Sequence, residues 1–118
     1  MGFMDRFIGK KARTKEEYYR IGYKSARKGN LGDVIGAWRA VTRMDPSDGK
    51  AHYCLGLVYF IKDPVALRDA AVREWQTASS LEPNRSQYRT TIALASTNDA
   101  EALTEWVVDQ WKQMMDRI

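Results

Sequence analysis

The sequence predicts an all-α fold of about six helices, because one residue pattern occurs twice along the chain. Each copy has a Gly, then a Trp, then a Pro: Gly22, Trp38 and Pro46 in the first, and Gly56, Trp75 and Pro83 in the second. The two glycines are 34 residues apart and the two tryptophans are 37 apart. A repeat with a period in the thirties is typical of helix pairs that stack on one another.

The first three helices are bounded by capping residues and prolines. Thr14-x-x-Glu17 is a capping box, which predicts a helix from about residue 15 to Lys28. Gly29-Asn30 forms the turn to a second helix, whose apolar stripe ends at Asp45-Pro46. Ser47 or Asp48 caps the third helix, which ends before Asp63-Pro64.

The last three helices follow from similar signals. Asp63 suits an N-cap and Pro64 a first helical position, so a fourth helix is expected from there to Glu82-Pro83. A fifth helix is expected over residues 86 to 96, and Asn98-x-x-Glu101 predicts the start of a long sixth helix.

Small and large residues alternate between the helices of each pair. Gly22 and Gly56 allow close approach of the partner helix, and Trp38 and Trp75 are expected to fill the space above them. Each pair still has one uncovered apolar side, so about three repeats are usually required for a stable stack.

This pattern resembles the tetratricopeptide repeat, a helix-turn-helix unit of 34 residues. The resemblance is carried by the marked positions of the second copy, Leu55, Gly56, Tyr59, Ala71, Trp75, Ala78 and Pro83. It implies a short right-handed α-solenoid over residues 14–118, with repeats at about 15–48 and 49–85 and a degenerate one at 86–118. An amphipathic and basic segment, residues 1–13, precedes it.

The resemblance also implies a partner groove lined by the first helix of each pair. The side chains expected there are Tyr19, Arg20, Tyr23, Arg27, Lys50, Tyr53, Leu57 and Phe60. Members that grip a terminal carboxylate carry Lys and Asn where this chain has Tyr19 and Tyr23, so an apolar helix or peptide is the expected ligand. Leu57 and Phe60 are equally compatible with a buried core helix.

Charge and apolar residues suggest further contacts at both ends of the chain. The N-terminal contact residues would be Phe3, Phe7, Ile8, Lys10 and Lys11. This short segment suits contact with a membrane interface, with a partner subunit or with the domain's own groove. Alternatively, it forms a disordered tail. The sixth helix has more apolar residues than an end cap requires, and Trp111, Met115 and Ile118 are the candidates for contact with a second copy or a larger partner.

The composition argues against catalysis and against nucleic-acid binding. The single His52 and single Cys54 are two residues apart on a helix and point in different directions, and no zinc or phosphate-loop spacing occurs. Net charge is only +4 and no nucleic-acid motif is present. The basic residues of the first helix, such as Lys24, are compatible with an acidic partner, an anionic membrane surface or an ordinary solvated face.

Two functions are therefore expected as alternatives. The first is a non-catalytic interaction scaffold or adaptor that needs no cofactor or metal. The second is a structural accessory subunit of a membrane-bound complex, which uses residues 1–11 as the membrane or subunit contact. A lone cysteine and the absence of an apolar run of about 20 residues favour the cytoplasm, including the cytoplasmic face of a membrane.

Overall fold

A computed structural model describes residues 13–117, which form six α-helices joined by turns, without a β-strand. The helices are α1 (Lys15–Arg27), α2 (Leu31–Met44), α3 (Gly49–Lys62), α4 (Arg68–Leu81), α5 (Ser86–Ala95) and α6 (Ala100–Asp116). The predicted all-α class and number of helices are confirmed for this part of the chain.

The predicted capping residues begin two of the helices, α1 and α3. The Thr14 hydroxyl accepts from the Glu17 backbone N–H at 3.1 Å, and the Asp48 carboxylate accepts from that of Ala51 at 3.1 Å. Gly29 has a φ of 74°, a left-handed conformation that favours glycine and ends α1.

Two boundaries differ from the sequence prediction. Asp63 does cap a turn, because its carboxylate accepts from the N–H groups of Val65 and Ala66, but α4 itself begins at Arg68. The cap of α6 is Asp99 and not Asn98, since the Asp99 side chain accepts from the Ala102 N–H at 2.9 Å.

The helices pack in consecutive pairs, α1 with α2 and α3 with α4, and each pair contains the predicted Gly and Trp contact. A methyl group built on Gly22 would overlap the indole of Trp38, and one on Gly56 would overlap the indole of Trp75. Both tryptophans are fully buried. The small residue and the large one therefore determine the spacing of each pair, as the sequence predicted.

Helix α3 is the centre of the molecule and contributes to two apolar clusters. Ala51, Cys54, Leu55 and Val58 pack with the first helix pair, whereas Tyr53, Leu57 and Phe60 pack with α4, α5 and α6. Contacts with α2, α4 and α6 surround α3, which explains why its sequence is apolar nearly all round.

Candidate binding pocket beside the sixth helix

Helix α6 lies across α3 and α5. Leu103 and Val107 of α6 are fully buried in the same cluster as Tyr53, Leu57 and Tyr88. An amphipathic helix of the chain itself therefore covers much of the surface that the sequence assigned to a partner.

A buried hydroxyl fixes the position of α6. Thr91 donates to the Gln87 backbone oxygen at 2.8 Å, so its oxygen accepts from the Tyr53 hydroxyl at 2.9 Å and from the Trp106 indole N–H at 2.7 Å. These bonds join α3, α5 and α6 at one atom. Because a buried polar group is costly unless it is paired, this arrangement favours one orientation of α6.

The second half of α6 reaches the first helix pair. The Trp111 ring is 6.2 Å from the Trp38 ring, measured between centroids, and the Met114 sulfur is 3.4 Å from that of Cys54. Trp111 packs against both apolar clusters. It thus lies within the molecule, although the sequence suggested it for an outside contact.

The predicted groove residues divide into two sets. Tyr53, Leu57 and Phe60 are only 4%, 1% and 4% exposed, so in this arrangement they are core residues and not a free surface. The physical reason is that α4, α5 and α6 pack against this side of α3. Tyr19 and Tyr23 are half-buried, and Arg20, Arg27 and Lys50 are exposed.

Tyr19 and its neighbours hold the first helix to the turn before α3. The Tyr19 hydroxyl donates to Asp48 at 2.8 Å, and the Lys15 ammonium lies 2.9 Å from Asp45 and 3.2 Å from Asp48. The hydrogen bond from Lys15, followed by those from Ser47, lowers the pKa of Asp45 to about 2. Tyr19 therefore has a structural task on this side of α1.

A pocket of about 380 Å³ lies between α1, α3, α5 and the end of α6. Its walls are Tyr23 from α1, residues of α3 and α5, and Gln110, Gln113, Met114 and Arg117 at the end of the chain's described part. Of the predicted groove residues, Tyr23, Lys50, Tyr53 and Leu57 line it. The sequence pattern did not indicate the residues from α6, because the repeat does not specify where the last helix lies.

Two of the cations at this pocket lie over tyrosine rings. The Lys50 ammonium lies 5.1 Å from the centre of the Tyr19 ring and 5.8 Å from that of Tyr23. The Arg85 guanidinium lies 5.8 Å from the Tyr88 ring. These distances are within the range of cation–π attraction, which holds the charged groups near the pocket.

His52 and Cys54 have different surroundings. His52 packs against α4, where its ring lies 3.3 Å from the Glu74 carboxylate, and its other nitrogen lies 2.9 Å from the Pro46 backbone oxygen. Burial raises the pKa of the Cys54 thiol to about 12, so the reactive thiolate is scarce at neutral pH. Over residues 13–117 no cluster of three or more metal-ligating side chains is found.

The remaining predicted contacts fall at the two ends. Phe3, Phe7, Ile8, Lys10, Lys11 and Ile118 lie outside the described residues, and Met115 is half-buried on α6. No helix within residues 13–117 is long and apolar enough to cross a membrane.

Comparison of the sequence with protein-family models gave no match. Comparison with curated proteins also gave no match.

Proposed function

We propose that this chain is a non-catalytic scaffold of the tetratricopeptide type, which binds a segment of a protein partner beside α6. The observation that carries the proposal is the packing of α6, an amphipathic helix, on α3 and α5 through Leu103 and Val107. A surface that packs one amphipathic helix in this way suits recognition of a second helix or an extended peptide next to it.

The part of this surface that α6 does not cover supplies the contact residues. Tyr23 and Lys50 line the pocket from α1 and α3, and Gln113 lines it from α6. Tyr offers large contact area with few rotatable bonds, which is why it is enriched where proteins bind peptides. The partner segment is thus expected to enter between the first and last helices.

Photo-crosslinking in cells that contain the natural partners tests this proposal. We expect p-benzoylphenylalanine at Gln113, on the pocket, to form an adduct with a single protein. The matched control carries the same group at Gln76, which is exposed on α4 and does not line the pocket. Tyr23→Ala should weaken the adduct without loss of helical content. Equal adducts from positions 113 and 76 would show that this surface is not the binding site.

The second candidate function is an accessory subunit at a membrane surface, favoured by the exposed basic residues of α1. Arg20, Lys24 and Arg27 share one side of the helix, and Arg13 precedes it; within residues 13–117 none of the four forms an ion pair. Such a stripe suits an anionic surface. Sedimentation with anionic vesicles tests this function, with the full chain and with a chain that lacks residues 1–11. If neither form binds the vesicles, the membrane function is excluded.

A further inference from the structure

The pocket beside α6 is lined by cations and hydrogen-bond donors. Of its twelve lining residues three are cationic, Lys50, Arg85 and Arg117, and none is acidic. Lys50 comes from α3, Arg85 from the turn before α5, and Arg117 from the end of α6. Three separate elements therefore place positive charge at one cavity. The charge is not simply the basic face of a single helix.

Two acidic residues, Asp48 and Glu82, lie near the pocket. Asp48, two residues before Lys50, accepts from Tyr19 and Ala51 and pairs with Lys15. Glu82 pairs with the Nε of Arg85 at 3.2 Å, so the terminal nitrogens of that guanidinium stay available. Within residues 13–117, Lys50 and Arg117 form no ion pair. Of the three pocket cations, two are thus without an ion-pair partner in this part of the chain, while Glu82 lies beside Gly49 at the start of α3.

Apart from the cations, Gln110 supplies a hydrogen-bond donor for an acceptor group in the pocket. This side chain is only 4% exposed, and its amide oxygen accepts from the Gln87 amide. Its amide nitrogen has no acceptor among the described residues, although Gln110 lines the cavity. This nitrogen is not closed off from solvent, so a ligand oxygen that enters the cavity can replace water as its acceptor.

The rest of the wall is aromatic and apolar. Tyr23, Tyr53 and Tyr88 line the cavity together with Leu57 and Met114. The Tyr23 hydroxyl lies beside the Lys50 side chain. A volume of about 380 Å³ lies in the range of small-molecule sites.

We propose that this pocket binds an organic anion, whose carboxylate or phosphate group contacts Lys50, Arg117 and Gln110 while its aromatic or apolar body lies against the half-buried Tyr23 ring. The anion is either a free small molecule or an acidic side chain of the partner. The site does not require the proposed scaffold function, because it is defined by residues of this chain alone.

A titration of the full chain followed by two-dimensional NMR tests the site. The probes are phenyl phosphate, 3-phenylpropionate and the neutral 3-phenylpropionamide, which matches the carboxylate in shape. We expect both anions to shift amide signals at the start of α3 and the end of α6, and to bind at least tenfold more tightly than the amide. Equal affinity for the carboxylate and the amide would overturn the proposal.

Two substitutions localise the binding. Lys50→Met keeps the aliphatic stem but removes the charge, and Gln110→Met keeps the length but removes the amide; each should weaken both anions at least fivefold. Lys112→Met is the matched control, because Lys112 is exposed on α6 outside the pocket. An equal loss in the control, or no loss in either pocket variant whose spectrum remains folded, would overturn the proposal.

Competition then identifies the source of the anion. If phenyl phosphate suppresses the crosslinked adduct from position 113, the natural ligand is an acidic side chain of the partner. If the adduct persists while the anion is bound, the ligand is a free molecule. Both results support the site, and an absent adduct would count against the scaffold function without affecting the titration.

Discussion

At the scale of single residues, the two Gly and Trp contacts determine how closely the helices of each pair approach. Trp38 donates to the Tyr19 backbone oxygen at 3.4 Å, whereas the indole N–H of Trp75 is buried without an acceptor. Shape, and not hydrogen bonding, is thus the common feature of the two sites. A side chain at either glycine would have to displace an indole ring in a packed interior.

Three Gly→Ala substitutions test this conclusion. Gly22→Ala and Gly56→Ala should each destabilise the fold by about 1 to 3 kcal/mol, because the added methyl group overpacks the core. Gly36→Ala is the control: Gly36 lies within α2 and nothing lies within 4 Å of an added methyl group. It should stabilise the fold by about 0.5 to 1 kcal/mol through helix propensity. Chemical denaturation measures the free energy of unfolding of all three variants. A change of the same sign at all three positions would contradict the close packing of Gly22 and Gly56 against the indole rings.

Asp45 provides a pH-dependent test at the same scale. Its pKa is lowered from 3.8 to about 2, first by the hydrogen bond from Lys15. A lowered pKa in the folded state means stabilisation that is present above pH 3.8 and is lost as the pH falls through about 2. Asp45→Asn should therefore be less stable than the natural chain at pH 6, and the difference should shrink between pH 4 and 2. Urea unfolding at several pH values measures it, and a constant difference would refute the linkage.

At the scale of helices, the sequence predicted the start and end of most elements but not the position of α6. Capping residues act locally, so Thr14 and Asp48 could be recognised from their neighbours alone. The path of α6 depends on contacts distant in sequence, such as those between Trp106 and Thr91 or Met114 and Cys54. The position of the pocket depends on the same distant contacts, because seven of its twelve lining residues come from α5 and α6 or the residues beside them.

The cap of α6 is the clearest boundary at which structure and sequence prediction differ. Two adjacent residues, Asn98 and Asp99, are both favourable N-cap types, and only Asp99 accepts from the Ala102 N–H. Asp99→Ala should cost about 1 kcal/mol, because it leaves a helix N–H unpaired and removes a negative charge near the helix start. Asn98→Ala should cost much less. Thermal or urea unfolding of the two variants compares them directly, and the reverse order would restore Asn98 as the cap.

At the scale of the whole molecule, α6 joins the two apolar clusters that α3 separates. Its first half packs with α3 and α5 through Leu103 and Val107, and its second half reaches Trp38 through Trp111. A stack of repeats in which each unit contacts only its neighbours unfolds in parts. A helix that contacts distant parts of the stack should instead make its unfolding more cooperative.

Trp111→Ala tests whether this helix is an internal connection or an outside contact. Removing a half-buried indole that packs on both clusters should cost about 2 to 4 kcal/mol and increase hydrogen exchange in α2 and α4 together. The mass measured by light scattering should not change. Val108→Ala, at an exposed position of the same helix, is the control and should alter stability by less than about 0.5 kcal/mol. A lower mass with unchanged stability would instead assign Trp111 to an interface between molecules, because its contacts within the chain would then contribute nothing.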